Sequence, residues 1–189
     1  MKRWTAKQAS KPVNDEVIRE FSVSDLYEAL EAKRLASDLS WQQVADELWG
    51  LSKELNDRRH DHPISPSTLK GMRERDATSC QHALFMLRWL DRSPESFLRG
   101  ASNFRMVPLP SAGLERRLRW NLVGLYDAMN VQRLELRLSW TVLAEILRCT
   151  PSQLTGLRTA KFATGMKLAM RIVQWLNRPA ADFVYAARW

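Results

Sequence analysis

Two passages of this chain are versions of one text. Residues 26–48, LYEALEAKRLASDLSWQQVADEL, align without a gap on residues 125–147, LYDAMNVQRLELRLSWTVLAEIL, at an offset of 99. Leu26/Leu125, Tyr27/Tyr126, Ala29/Ala128, Arg34/Arg133, Leu35/Leu134, Leu39/Leu138, Ser40/Ser139, Trp41/Trp140 and Ala45/Ala144 are identical pairs. The likeness resumes at an offset of 85, with PSTLKGMR from Pro66 against PSQLTGLR from Pro151. It runs on at an offset of 86, with Trp89-Leu90-Asp91-Arg92 against Trp175-Leu176-Asn177-Arg178. A duplicated unit narrows the architecture to two copies of one structural idea, so function divides into what one copy does and what pairing adds.

The repeat divides the 189 residues into a basic N-terminal arm (1–20), expected to be flexible, a first copy (21–100) with an insertion at 49–63, a linker (101–111) and a second copy (112–189). Apolar residues recur at helical spacing, Leu26, Leu30 and Leu35 with Tyr27 in the first copy and Val123, Tyr126, Leu134 and Leu138 in the second. The expected fold class is all-α. In the second copy the first helix is expected to begin near Ser111, and Ser139 to cap a short helix over 140–147. Thr150 caps the next, with Pro151 at its first position, where no backbone donor is needed. That helix runs to about Arg158. A break at 159–164 leads to a longer helix over 165–176, and a short final helix follows Pro179, with Phe183 packing back. Phe85, Met86, Trp89, Met170, Val173 and Trp175 sit at core positions. Pro108 and Pro110 stiffen the linker, which predicts a fixed relation between the copies.

Charge is unevenly placed. Residues 1–100 carry 16 Lys/Arg against 16 Asp/Glu, and residues 101–189 carry 13 against 5, so the whole excess of +8 lies in the second half. Such an excess favours a polyanionic partner. Two cysteines, Cys80 and Cys149, at non-equivalent positions supply neither a disulfide framework nor a zinc site, which points to a reducing cytoplasm. No apolar stretch approaches membrane-spanning length, and the opening residues lack a signal-peptide apolar region. His60-Asp61-His62 beside Asp57 lacks a second pair of ligands, so no metal is expected. Cys149 beside Arg148 raises redox sensing as an option, with a small half-buried turn residue as the plainer role. No nucleophile–base grouping, phosphate loop or carboxylate pair stands out, so the chain reads as a non-enzyme without cofactor.

Short helix, tight turn, short helix with small polar residues at its start is the helix-turn-helix pattern. The ordered set Leu39-Ser40-Trp41, Val44-Ala45, Ser65 through Leu69, Trp89-Leu90 and Phe97 resembles the Cro-like (XRE, phage-repressor-like) family, over about residues 24–99 and again over 112–186. The resemblance implies two tandem five-helix lambda-repressor-like helix-turn-helix domains, with Ala45 and Ala144 where the third helix crosses the second closely. It implies that Ser152, Gln153, Thr155 and Gly156 read base edges in the second copy, and Ser67, Thr68, Lys70 and Gly71 in the first. Gln153 is the leading reader, since an amide can pair bidentately with adenine. Phosphates fall to Arg148, Arg158 and Lys161, and to Arg73 and Arg75. Two departures stand out. The family often has Gln where this chain has Trp41 and Trp140, for which packing is expected. In the first copy the insertion separates the two motif helices, so that either the second helix extends through Leu55 with a loop after it, or the motif is opened out.

The expected function is a sequence-specific transcriptional regulator, a repressor before an activator, from a bacterium, phage or mobile element and nucleoid-associated. Its partner is double-stranded DNA, read as two unlike half-sites. The neutral first copy is available to another regulator or to RNA polymerase, and homodimerisation stays open. The alternative is a protein-binding adaptor of the antiactivator or antitoxin type, with the first copy as its interaction surface.

Overall fold

Hydroxyl and amide side chains mark most helix starts. The computed structural model describes residues 18–59, 64–100, 104–159 and 164–188. Lys161, His60, Asp61, His62 and residues 1–17 of the arm lie outside them. In the first copy Ser22 caps α1 (Val23–Ala36) and Ser40 caps α2 (Trp41–Gly50). After α3 (Lys53–Arg59), Ser65 caps α4 (Pro66–Arg75) and Ser79 caps α5 (Cys80–Leu90). In the second copy Asn121 precedes α6 (Leu122–Glu135), Ser139 precedes α7 (Trp140–Ile146), Thr150 precedes α8 (Pro151–Gly156) and Gly165 precedes α9 (Met166–Trp175). Every one of these caps except Gly165 accepts a backbone N–H of the opening turn, satisfying a donor the helix cannot. Equivalent left-handed residues end equivalent helices, Asp38 and Arg137 (φ 51° and 53°), Asp91 and Asn177 (φ 55° and 51°).

The fold is mostly helical but not all-α. β1 (Arg117–Trp120) and β2 (Val184–Ala187) form an antiparallel pair, Arg117 opposite Ala187 and Trp120 opposite Val184. The first copy keeps one bridge of the same kind, Phe21 to Leu98, at the equivalent positions. The first helix of the second copy therefore starts at Leu122 rather than near Ser111. The chain before it turns at Leu114–Glu115 and is fastened by Arg88, whose guanidinium donates to the carbonyls of Ala112, Gly113 and Arg116. Past Pro179 the chain makes only a 3-10 turn, Ala180–Phe183, before β2, with Phe183 buried as expected.

One contiguous hydrophobic core runs through both copies, from Leu26, Leu48 and Leu84 to Leu125, Leu154 and Met170. α5 packs on α9, and each copy's entry segment lies across the other's long helix. Leu118 at the start of copy two accepts from Gln81 on α5. Arg19, in the last residues of the arm before copy one, exchanges two bonds, 2.9 and 3.0 Å, with the Gln174 amide on α9. The apolar stripes needed correction at their ends. Leu35, Val123 and Leu134 are exposed, because the core of each copy is filled by Leu26 and Leu30 or by Leu125 and Met129 and none of the described residues covers the ends of the stripe.

The seam between copies holds a buried carboxylate. Glu95, 4% exposed, accepts from the Ala180 N–H at 2.7 Å, while its second oxygen is buried without a partner. Burial holds its pKa above the ordinary carboxylate value. A group that binds its proton more tightly in the folded state favours folding at low pH, and this support fades as pH rises through its folded pKa. Comparing thermal melts at pH 4.5 and 7.5, Glu95→Gln should therefore lose less stability across the interval than the wild type. An identical pH slope in both would remove Glu95 as its source.

Candidate nucleic-acid interface

In copy two, α7, a turn and α8 form a compact unit. Arg148 takes the left-handed conformation (φ 50°) that closes the turn, and Arg171 on α9 fastens it by donating to the Leu147 and Arg148 carbonyls, both at 2.7 Å. Leu154 and Leu157 face the core, and Ala144 is buried where α7 meets α8. Ser152, Gln153, Thr155 and Arg158 are exposed, as is Arg148, and Gly156 is half-buried. Between Ile146 and Ala181 the sequence has six Lys/Arg and no Asp/Glu. Lys167, Arg171 and Arg178 are spent on Asp76, on the turn carbonyls and on Asp182. Arg148 and Arg158 make no ion pair among the described residues, so their charge is available to an anion.

Gln153 is less free than expected. Its side-chain oxygen accepts from the Thr150 N–H at 2.9 Å and the Thr150 hydroxyl at 3.2 Å, completing a capping box. Bidentate pairing with adenine needs that oxygen as well as the amide N–H, so reading would first break the box, at a cost of about 1 kcal/mol per hydrogen bond. Thr155 turns its hydroxyl back to the Pro151 and Ser152 carbonyls, and the Ser152 hydroxyl lies 3.0 Å from that of Thr150. Each hydroxyl keeps lone pairs for an incoming donor.

In copy one, α4 exposes Ser67, Lys70, Arg73 and Arg75, with Thr68 and Gly71 half-buried, while Leu69 and Met72 face inward. The Ser67 and Thr68 hydroxyls lie 2.8 and 2.9 Å from the capping Ser65 hydroxyl. Arg75 folds back to donate to the Thr68 carbonyl at 3.3 Å, and Arg73 sits 5.5 Å from the Tyr27 ring. Glu74 and Asp76 share this helix end, so the surface is less positive than that of copy two.

The repeated tryptophans serve packing. Trp41 stacks on Tyr27 (5.4 Å) under Arg34, and Trp140 on Tyr126 (5.6 Å) under Arg133. Each arginine also caps the preceding turn, donating to the Leu39 or Leu138 carbonyl at 2.7 Å. This stack fixes the start of α2 or α7 against the first helix of its copy.

Nothing among the described residues calls for the paired glycines. A Cβ built on Gly156 meets nothing within 4 Å, and one on Gly71 meets only the movable Arg75 guanidinium. Glycine costs about 1 kcal/mol against alanine inside a helix. Among the described residues no neighbouring helix comes close enough to either position to require glycine.

Of the two expectations for the insertion of copy one, α2 does not extend through Leu55, since it ends at Gly50, and the motif is opened out by a further helix over the described residues. α3 is a separate helix, with Leu55 and Asn56 buried beneath it. Cys149 is not an activated thiol, since burial pushes its pKa up more than Arg171 pulls it down. Among the described residues no cluster of three or more His, Cys, Asp or Glu can hold a metal, and no helix is long and apolar enough to cross a membrane. No protein-family model, curated protein or solved structure matches this chain.

Proposed function

We propose that the chain is a sequence-specific double-stranded-DNA-binding regulator of the tandem helix-turn-helix kind, and that it represses by occupying a promoter. One observation carries this reading. Twice, a capped helix, α4 and α8, buries its leucine and turns small polar side chains and cations outward, and in copy two no acidic residue lies in the sequence between Ile146 and Ala181 to offset them. Ser152, Thr155 and the Gln153 amide N–H are the base-reading groups of copy two, and Arg148 and Arg158 flank them as phosphate contacts. Lys70, Ser67 and Thr68 do the corresponding work in copy one, with Arg73 and Arg75 beside them.

The test is affinity for duplex DNA as a function of salt. Each phosphate contact releases condensed counterion, so the slope of log K on log salt falls by about 0.9 for each contact removed. Arg158→Ala should lower the slope by about one and weaken binding to all sequences alike. A slope identical to wild type would take Arg158 out of the interface.

A protein-binding adaptor is the second reading, and exposed apolar side chains favour copy two over copy one as its surface. The exposed large apolar side chains Val123, Val131, Leu134, Val142 and Ile146 belong to copy two, whereas copy one exposes Leu35. A folded chain with no affinity for duplex DNA at low salt would favour this reading, with the partner seated on α6 and α7.

A further inference from the structure

The seam between the copies has the signature of a two-fold axis. Ser79 and Gly165, equivalent residues 86 apart, form an antiparallel bridge. Across it Cys80 N–H donates to the Thr164 carbonyl at 2.8 Å and Met166 N–H to the Thr78 carbonyl at 2.9 Å. Equivalent groups exchange equivalent bonds, which a self-complementary, isologous contact produces and a head-to-tail contact does not. The repeat makes α4 and α8 equivalent elements, so the same axis would relate them. In copy one the bridge follows α4 within a few residues, with Lys167 of copy two on its end residue Asp76 at 2.5 Å.

The insertion is a part of the seam that the second copy lacks altogether. α3 and the two residues before it grip the entry of copy two. The Leu55 N–H donates to the Leu114 carbonyl (3.3 Å), and the Ser52 hydroxyl donates to the Arg116 carbonyl (2.7 Å). Asn56 accepts from both Nε and Nη2 of Arg117 and donates to the Trp49 carbonyl at 2.7 Å. The Arg117 guanidinium lies 5.0 Å from the Trp49 ring. Ser52, Asn56 and Arg117 are all buried, so this is a directional polar network inside the molecule. Such a network holds one arrangement of the groups it joins, because any other leaves a buried donor unmet.

We propose that the insertion of copy one is a positioning element that locks the distance between α4 and α8. On this proposal one chain, without a second copy, recognises an inverted pair of unlike half-sites at a single spacing. It rests on the DNA-binding reading for its target, and on the network alone for its geometry. Asn56 and Arg117 act as positioning residues and touch no DNA.

Two measurements on the full chain separate these layers. The first places spin labels at Ser67→Cys and Ser152→Cys, in a background with Cys80→Ala and Cys149→Ala, and reads their distance without DNA. Wild type should give one narrow distribution and Arg117→Met a broad one, while an unchanged width in Arg117→Met overturns the locking role. Should Arg117→Met fail to fold, Asn56→Ala carries the same comparison. The second measures binding to duplexes whose inverted half-sites, selected from a random library, are moved apart one base pair at a time. Wild type should bind one spacing at least 10-fold better than its neighbours with one chain per duplex, and Arg117→Met should shrink the preference below 3-fold. Tight binding to direct repeats, two chains per site, or a preserved preference in Arg117→Met each overturns the proposal. A narrow wild-type distance that broadens in Arg117→Met, with no duplex bound at any salt, would refute the DNA reading and leave the lock standing.

Discussion

Gly156→Leu should leave the chain folded and as stable as wild type or more so, yet weaken duplex binding by about 100-fold, equivalent to about 2.7 kcal/mol. The stability half follows from local conformation. Gly156 is the last residue of α8, its φ is not positive, and its Cβ position is empty. Leucine is a strong helix former, so the exchange recovers up to about 1 kcal/mol that glycine forfeits. The binding half follows from what is left to explain the residue. With no neighbour among the described residues to accommodate, a bare backbone at this point is what the proposed close approach to DNA would use. Forcing a side chain into a close-fitting contact costs about 1–3 kcal/mol. Gly71→Leu is the internal control, since its side chain would first displace the Arg75 guanidinium, 2.6 Å from the built Cβ. Thermal melts and mobility shifts on both variants check the result. Unaltered affinity in Gly156→Leu would show that α8 does not approach DNA closely.

Much of this surface was readable because its determinants are local. A serine or threonine before a short apolar-patterned run gives the cap, and proline at the next position gives the direction. Ala45 and Ala144, small where larger residues would suit a helix equally well, mark the close crossing of α2 with α4 and α7 with α8. The orientation of Gln153 was also legible in principle. Thr150-Pro151-Ser152-Gln153 fits the pattern in which the residue three after the cap bonds back to it, as Ser40 and Gln43 do. What escaped was non-local. Arg117-Leu118-Arg119-Trp120 alternates at period two, but four residues form a strand only when a partner lies alongside, and that partner is Val184–Ala187, more than 60 residues on. α3 reads as a charged loop because its buried residues, Leu55 and Asn56, are buried against a segment of the other copy. Leu35 and Leu134 fit a helical stripe, and period alone cannot say where the core beneath a stripe stops.

Leu154→Ala should destabilise the whole chain by about 2–5 kcal/mol and not copy two alone. Leu154 is fully buried, so its truncation removes transfer free energy and leaves a cavity whose walls relax only in part. For a chain of this size the melting temperature should fall by about 2–4 °C per kcal/mol. The informative feature is which residues melt with it. Copies that met only through a linker would unfold separately, and Trp41 would report an unshifted transition while Trp140 moved. Here the core is continuous, α5 lies on α9, and each entry segment is held by the other copy. Neither half can lose its packing and leave the other's long helix covered. Site-specific fluorescence from a chain retaining only Trp41, and from one retaining only Trp140, should show one shared transition that Leu154→Ala lowers equally in both. Two separable transitions would mean the reading helices are carried by independent units, and a fixed spacing between them would lose its physical basis.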